Sequence, residues 1–163
     1  MITLPDQMSV AGIKARLFLC ECPAPSDHSY TPDAAAEAIN LMDVVIRNRV
    51  LNPRPFMASS PSVLAVVKAR GQFAGFDGYP NIGPSLVTHI QDILNIANSA
   101  RDQRSASYQD FVNKVLTVAN ASSNTDPSPG KLVAWRTHNH SSPGAGFVLF
   151  KTVLKNDFYY KTS

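Results

Sequence analysis

A helix that is apolar on nearly every side is stable only in the middle of a core, and residues 32–50 contain such a helix. Thr31 reads as its N-cap, Pro32 as its first residue, where no needed hydrogen bond is lost, and Asp33 as a first-turn acid. The segment is expected to run to about Val50. Leu41, Met42, Val44, Val45 and Ile46 cover its centre, and Ala36, Asn40, Asp43 and Arg47 make its one polar stripe. The rest of the chain must therefore wrap this hub. With 163 residues, 44% hydrophobic and 17% charged, it has enough material to do so as one domain spanning residues 1–163. The same composition excludes a disordered tail and a coiled coil.

Apolar spacing predicts four further helices. Val10, Ile13, Leu17 and Cys20 recur after Ser9, and Pro23 and Pro25 end that pattern near Glu21. Cys22 to Thr31 is turn-forming. Ser60 and Pro61 open a short helix over Val63, Leu64, Val66 and Val67 that Gly71 stops. Pro84 to about Ala100 and Ser107 to about Ala119 are the last two helices. Between them and the third, Gly71 to Gly83 carries Phe73, Phe76 and Tyr79 among four glycines, which predicts rings on a loop that approaches a ligand closely. Asn120 to Lys131 is a polar connection. Leu132–Trp135, Gly146–Val153 and Phe158–Tyr160 are short and rich in aromatic or β-branched residues. The expected fold class is mainly α (α+β), a helical bundle with a small C-terminal antiparallel β element.

The balance of 15 Lys and Arg against 12 Asp and Glu gives a formal charge of +3, too small and too scattered for nucleic acid but suited to a mildly anionic polymer. No stretch reaches the roughly 18 apolar residues of a membrane span, so no membrane insertion is expected. The opening residues lack the order of a signal peptide, so export is expected by another route. No phosphate loop or dinucleotide fingerprint is present and no cofactor is expected. His138 and His140 alternate as strand residues do, but no third ligand has metal-site spacing, so no metal is expected either.

The chain has two glutamates, Glu21 and Glu37. Glu21 follows Ile13 by eight residues and Leu17 by four, at the end of a buried stripe. A carboxyl there is partly desolvated, its pKa rises, and it becomes a candidate general acid. Glu37 stands near the start of the hub helix, where the dipole favours a negative charge even without a catalytic role. Asn48 shares its stripe, and an amide beside Val44 and Val45 must find partners or cost about 1–3 kcal/mol. Holding a neighbouring loop would satisfy it, and Arg49 can do the same. Cys20 or Cys22 with His138 or His140 is an alternative constellation, a thiol and an imidazole that meet in the fold.

Several of these residues together resemble a family. Val44-Val45-Ile46-Arg47-Asn48-Arg49-Val50, then Gly71-Gln72-Phe73 after a Val-rich helix, then Asn156-Asp157-Phe158-Tyr159, are similar in order to the cell wall hydrolases of the spore-cortex-lytic type. The resemblance covers about Phe18 to Tyr160. It departs from the family at Cys22-Pro23-Ala24-Pro25, where a small residue and an Arg-Gly-Glu stretch usually follow the glutamate, and at Asp157, where a histidine is common. It implies a lysozyme-like fold that cleaves peptidoglycan glycan strands between N-acetylmuramic acid and N-acetylglucosamine. Glu21 takes the place of the family's catalytic glutamate, and Gln72 and Phe73 that of its Gln-Phe pair.

Cleavage by two carboxylates requires a second acid, for which Glu37, Asp27 and Asp33 are candidates; with one acid, a lytic transglycosylase results. Phe73, Phe76, Tyr79 and Trp135 are the expected faces for sugar rings, with Asn48 and Tyr159 completing the substrate-binding set. Small hydrolases of this kind also resemble cargo effectors of type VI secretion, which implies action in a rival's periplasm and a cognate immunity protein as partner. The rival readings are a cysteine peptidoglycan amidase and a non-catalytic module that binds cell wall or a partner protein.

Overall fold

The computed structural model describes residues 1–162. Five helices, α1 (Val10–Glu21), α2 (Pro32–Leu51), α3 (Val63–Lys68), α4 (Pro84–Ala97) and α5 (Ser105–Asn120), precede three strands, β1 (Lys131–Thr137), β2 (Phe147–Val153) and β3 (Asn156–Lys161). The fold is α+β and mainly helical, as the periodicity predicts. Ser9 caps α1 by accepting from the Gly12 amide, and Thr31 caps α2 by accepting from Ala34. Ser62, rather than Ser60, caps α3. Helix α4 stops three residues earlier than expected. Asn98 just beyond it has turned to bind the Ile2 backbone on both sides, its amide donating to the carbonyl at 2.9 Å and its oxygen accepting from the N–H at 2.6 Å. Arg54–Phe56 forms a single 3₁₀ turn that no spacing pattern announces.

Helix α2 is the hub. Ala38, Ile39, Met42, Val45 and Ile46 are wholly buried, and α1, α3, α5, β1 and β2 all contact this helix. The sheet, in the order β1-β3-β2 and antiparallel throughout, contacts α2 through β1 and β2. Its central strand sets Phe158 opposite Trp135. Leu154 and Lys155, both at positive φ, form the two-residue turn joining β2 to β3, the backbone geometry that suits the twist of a tight hairpin.

The polar stripe of α2 meets water at Asn40 but not at Asp43. Asp43 is completely buried, and its carboxylate accepts from Lys14 Nζ of α1 at 2.7 Å and from Arg47 Nε at 2.6 Å. Arg47 reaches on to the carbonyls of Ala121 and Ser122, while Asn124 donates to Asp43 at 3.1 Å and to the Asn40 carbonyl at 3.2 Å. One carboxylate thus joins α1, α2 and the α5–β1 connection. Breaking such a pair from one side strands a charge in the core, whereas replacing both partners by apolar residues need not. Asp43→Asn is therefore expected to destabilise the fold by about 3–5 kcal/mol in denaturant titration, and Lys14→Met with Asp43→Leu to recover most of that loss. An Asp43→Asn loss below about 1 kcal/mol would contradict this role.

Candidate active site

The C-terminal end of α1, the last turn of α2, the turn after α3 and the edge strand β1 enclose a cleft of about 740 Å³. Glu21 lies in it because α1 ends there: Cys22 is extended, and its N–H closes the last turn on the Phe18 carbonyl at 3.0 Å. The Glu21 side chain is half-buried, and the Trp135 indole N–H donates to its Oε2 at 3.1 Å. Burial pushes the Glu21 pKa above the ordinary carboxylic range, and the indole hydrogen bond opposes that shift without cancelling it. The net result is a carboxyl that holds its proton more tightly than a solvated glutamate.

Aromatic packing fixes the indole. Phe73 lies 5.1 Å from Trp135 between ring centroids, and Phe158 lies 6.4 Å from it. Phe73 arrives on the turn after α3, where Gly71 adopts φ +71°, a conformation that costs a glycine little. Arg49, 6% exposed, lines the cleft beside these rings. Its guanidinium lies 4.6 Å from the Phe56 ring centre and 5.4 Å from that of Phe73. Its Nε donates to the Val133 carbonyl at 2.7 Å and its Nη1 to Gln72 Oε1 at 3.0 Å, which orients the Gln72 amide. Burial lowers the Arg49 pKa to about 10, so the group stays charged at neutral pH.

Of the residues the sequence singles out, Glu21, Gln72, Phe73, Trp135 and His140 line this cleft. Asn48 does not line it; its amide donates to Asp126 Oδ2 and the Leu132 carbonyl, both at 2.8 Å, and so holds the connection into β1. Burial opposes the Asp126 charge, but N–H donors from Leu132 and Ser128, with Asn48, hold its pKa below the usual range. Glu37 is not a second acid across the groove: it pairs with Lys151 of β2, and about two-fifths of its side chain is exposed. Asp27 is likewise engaged by Lys155 at 2.7 Å, and Asp33 is exposed at the start of α2.

Phe76 and Tyr79 offer no faces to sugar. They are 0% and 1% exposed, stack with centroids 6.1 Å apart, and Tyr79 donates its hydroxyl proton to the Gln7 carbonyl. Two rings of that size stabilise the fold far more inside than on an open loop. Tyr159 is buried on β3, opposite Ala134 and Leu149 in register, and does not line the cleft.

The cysteine constellation does not assemble. Burial pushes both thiols up to about 12, with the neighbouring Glu21 charge adding to the effect on Cys20, so neither is a thiolate at neutral pH. His138 instead shares Nδ1 with Asp157 Oδ1 at 2.9 Å, and His140 lines the cleft without either cysteine. Burial works against the charge on Asp157, yet hydrogen bonds from Thr152 and His138 keep its pKa low.

Arg49, Phe56, Arg136 and Lys161 line the cleft without having been singled out for it. Arg49 carried a signal, since an arginine next to Asn48 on a nearly all-apolar helix needs a buried partner; Phe56 carried none. Among the described residues, no cluster of three His, Cys, Asp or Glu side chains is placed to hold a metal ion, and no helix is long and apolar enough to cross a membrane. Comparisons with protein-family models, with characterised proteins and with solved structures found no match.

A carboxyl whose folded pKa is raised contributes stability below its unfolded pKa, and that contribution is lost as pH rises through the folded pKa. Glu21→Gln mimics the protonated form at every pH. The melting temperature of Glu21→Gln relative to wild type is therefore expected to climb as pH goes from about 4 to about 8. A constant difference over that range would contradict a desolvated Glu21. Trp135→Phe removes the one donor that opposes the shift and should raise the Glu21 pKa further, as followed by carboxyl carbon NMR.

Proposed function

We propose that this protein cleaves the glycan strands of peptidoglycan, with Glu21 as the general acid. The observation that carries the reading is the half-buried Glu21 carboxyl, with its raised pKa, in a cleft walled by Trp135 and Phe73. The indole occupies Oε2, which leaves Oε1 to carry the proton and deliver it. The ordered Asn-Arg-Val and Gln-Phe motifs support the same reading, since Arg49 of the first fixes Gln72 of the second.

Chemistry follows from the acid inventory. Glu21 is the sole carboxylic residue among the described residues that line the cleft. A two-carboxylate mechanism needs a second acid roughly 5–10 Å away to attack the sugar or activate water. A single acid suits intramolecular displacement. Glu21 gives its proton to the bridging glycosidic oxygen as the bond from that oxygen to the muramic anomeric carbon breaks. The primary hydroxyl of the same muramic ring then attacks that carbon, and its proton passes to the Glu21 carboxylate. The acid is regenerated, an anhydro-muramic end forms, and no water is consumed.

Trp135 and Phe73, 9% and 5% exposed, offer the edges of buried rings as the apolar wall of the cleft, and Gln72 presents its amide for the polar groups of the sugars. A domain of this size and chemistry suits delivery by type VI secretion into a rival's periplasm, with a cognate immunity protein protecting the producer. Glu21→Gln keeps size and hydrogen bonding but has no carboxyl proton. It is expected to slow clearing of purified wall suspensions by about 10²–10⁴-fold while leaving circular dichroism unchanged. Clearing at a rate near wild type would reject Glu21 as the acid, and tight wall binding with no clearing by either protein would favour a binding module.

A further inference from the structure

The cleft wall holds an unmatched positive charge. Arg49 is 6% exposed, yet both of its hydrogen bonds go to neutral acceptors, the Val133 carbonyl and Gln72 Oε1. It pairs with no carboxylate among the described residues, and its Nη2 makes no hydrogen bond to them. The comparably buried Lys14 is treated differently, since Asp43 neutralises it at 2.7 Å. A guanidinium taken out of water without a counter-charge is costly, and the cost falls when a ligand brings the anion.

Two further cations line the same cleft. Arg136 of β1 is exposed and donates from Nη1 to the Ser141 carbonyl at 3.1 Å. Lys161 of β3 holds its ammonium 4.4 Å from the Phe147 ring centre. Neither forms an ion pair among the described residues. Three cationic side chains thus share the cleft with one carboxylic residue, Glu21. Such a surface attracts anions and discriminates against a neutral polymer of the same backbone.

We infer that the cleft selects a carboxylate-bearing glycan, with Arg49 receiving a substrate carboxylate and Arg136 and Lys161 drawing it in from the rim. The inference deepens the peptidoglycan reading and rests on it for the identity of the polymer. A guanidinium fork suits a carboxylate because two parallel N–H donors match its two oxygens. In peptidoglycan the carboxylate has two sources, the stem peptide or the lactyl group of a muramic residue freed of its peptide. Neutral N-acetylglucosamine polymers have neither.

The test uses purified wall before and after methyl esterification of its carboxyls, peptide-stripped glycan strands, and neutral N-acetylglucosamine oligomers. Esterification is expected to raise KM about tenfold or more with kcat within about twofold, and the neutral oligomers to be cut poorly. Arg49→Gln should show a raised KM on untreated wall, and esterification should raise its KM further by less than it does for wild type, because Arg136 and Lys161 remain. Because Arg49 also anchors Val133 and Gln72, the rim variant Arg136→Gln with Lys161→Gln repeats the comparison without touching a buried group. It should show a smaller KM rise on untreated wall, and because Arg49 remains, esterification should still raise its KM, though by less than in wild type. Stripped strands cut better than peptide-bearing wall identify the lactyl carboxylate, which the stem peptide otherwise blocks, as the recognised group; stripped strands cut worse identify the stem peptide.

An esterified wall cut with unchanged KM overturns the inference and leaves the proposed reaction standing. Binding by the Glu21→Gln variant separates the opposite case. Retention on untreated wall that esterification abolishes, with no glycan cut by the wild type, upholds the anion site and rejects the reaction. Retention indifferent to esterification overturns the anion site whatever the activity.

Discussion

The buried carboxylate of Asp43 is the interaction on which the rest of the structure depends. It takes Lys14 from α1 and Arg47 from its own helix, and through Arg47 and Asn124 it holds the segment that leads into β1. Lys14 and Glu21 stand seven residues apart on α1, about 10 Å along its axis, so fixing one sets the height of the other. Trp135 comes from the strand that follows the segment bound by Asn124. One ion network therefore bears on both partners of the Glu21–Trp135 hydrogen bond. Asn48 adds a second fastening five residues further along α2, through Asp126 and Leu132.

The cleft sets two opposed effects on Glu21. Desolvation by the surrounding apolar residues favours the neutral acid, and the indole N–H favours the anion. Burial is the larger of the two, so the carboxyl keeps its proton more tightly than a solvated glutamate. The same indole gives the site its geometry: Phe73 and Phe158 hold Trp135 on either side, and Trp135 in turn holds one oxygen of Glu21. Arg49 joins the two halves of the wall. It stacks on Phe56 and Phe73, binds the backbone of β1 and orients Gln72, with its charge left for a ligand.

The helices were legible because their starts carry caps and prolines and their interiors carry a period. The strands were legible because the last thirty or so residues change to aromatic and β-branched runs. Glu21 was legible as one of two glutamates, placed at a helix end. What failed was direction across distance. Phe76 and Tyr79 sit in a glycine-rich turn with no periodicity, so nothing local tells an inward ring from an outward one, and both turned inward. Glu37 finds Lys151 114 residues away, a pairing that no spacing encodes. Asp43 read as part of a wet stripe because Lys14, its partner, lies on another helix. Cys20 and Cys22 read as possible nucleophiles paired with His138 until the structure showed both thiols desolvated and His138 held by Asp157.

The central claim is that one shielded acid cuts a sugar bridge and then takes its proton back from the substrate. Mass spectrometry of the soluble fragments released from purified wall tests it most directly. Disaccharide-peptide fragments ending in an anhydro-muramic residue are the predicted product. Freed stem peptides beside uncut glycan chains, or glycan fragments ending wholly in reducing muramic sugar, would contradict it.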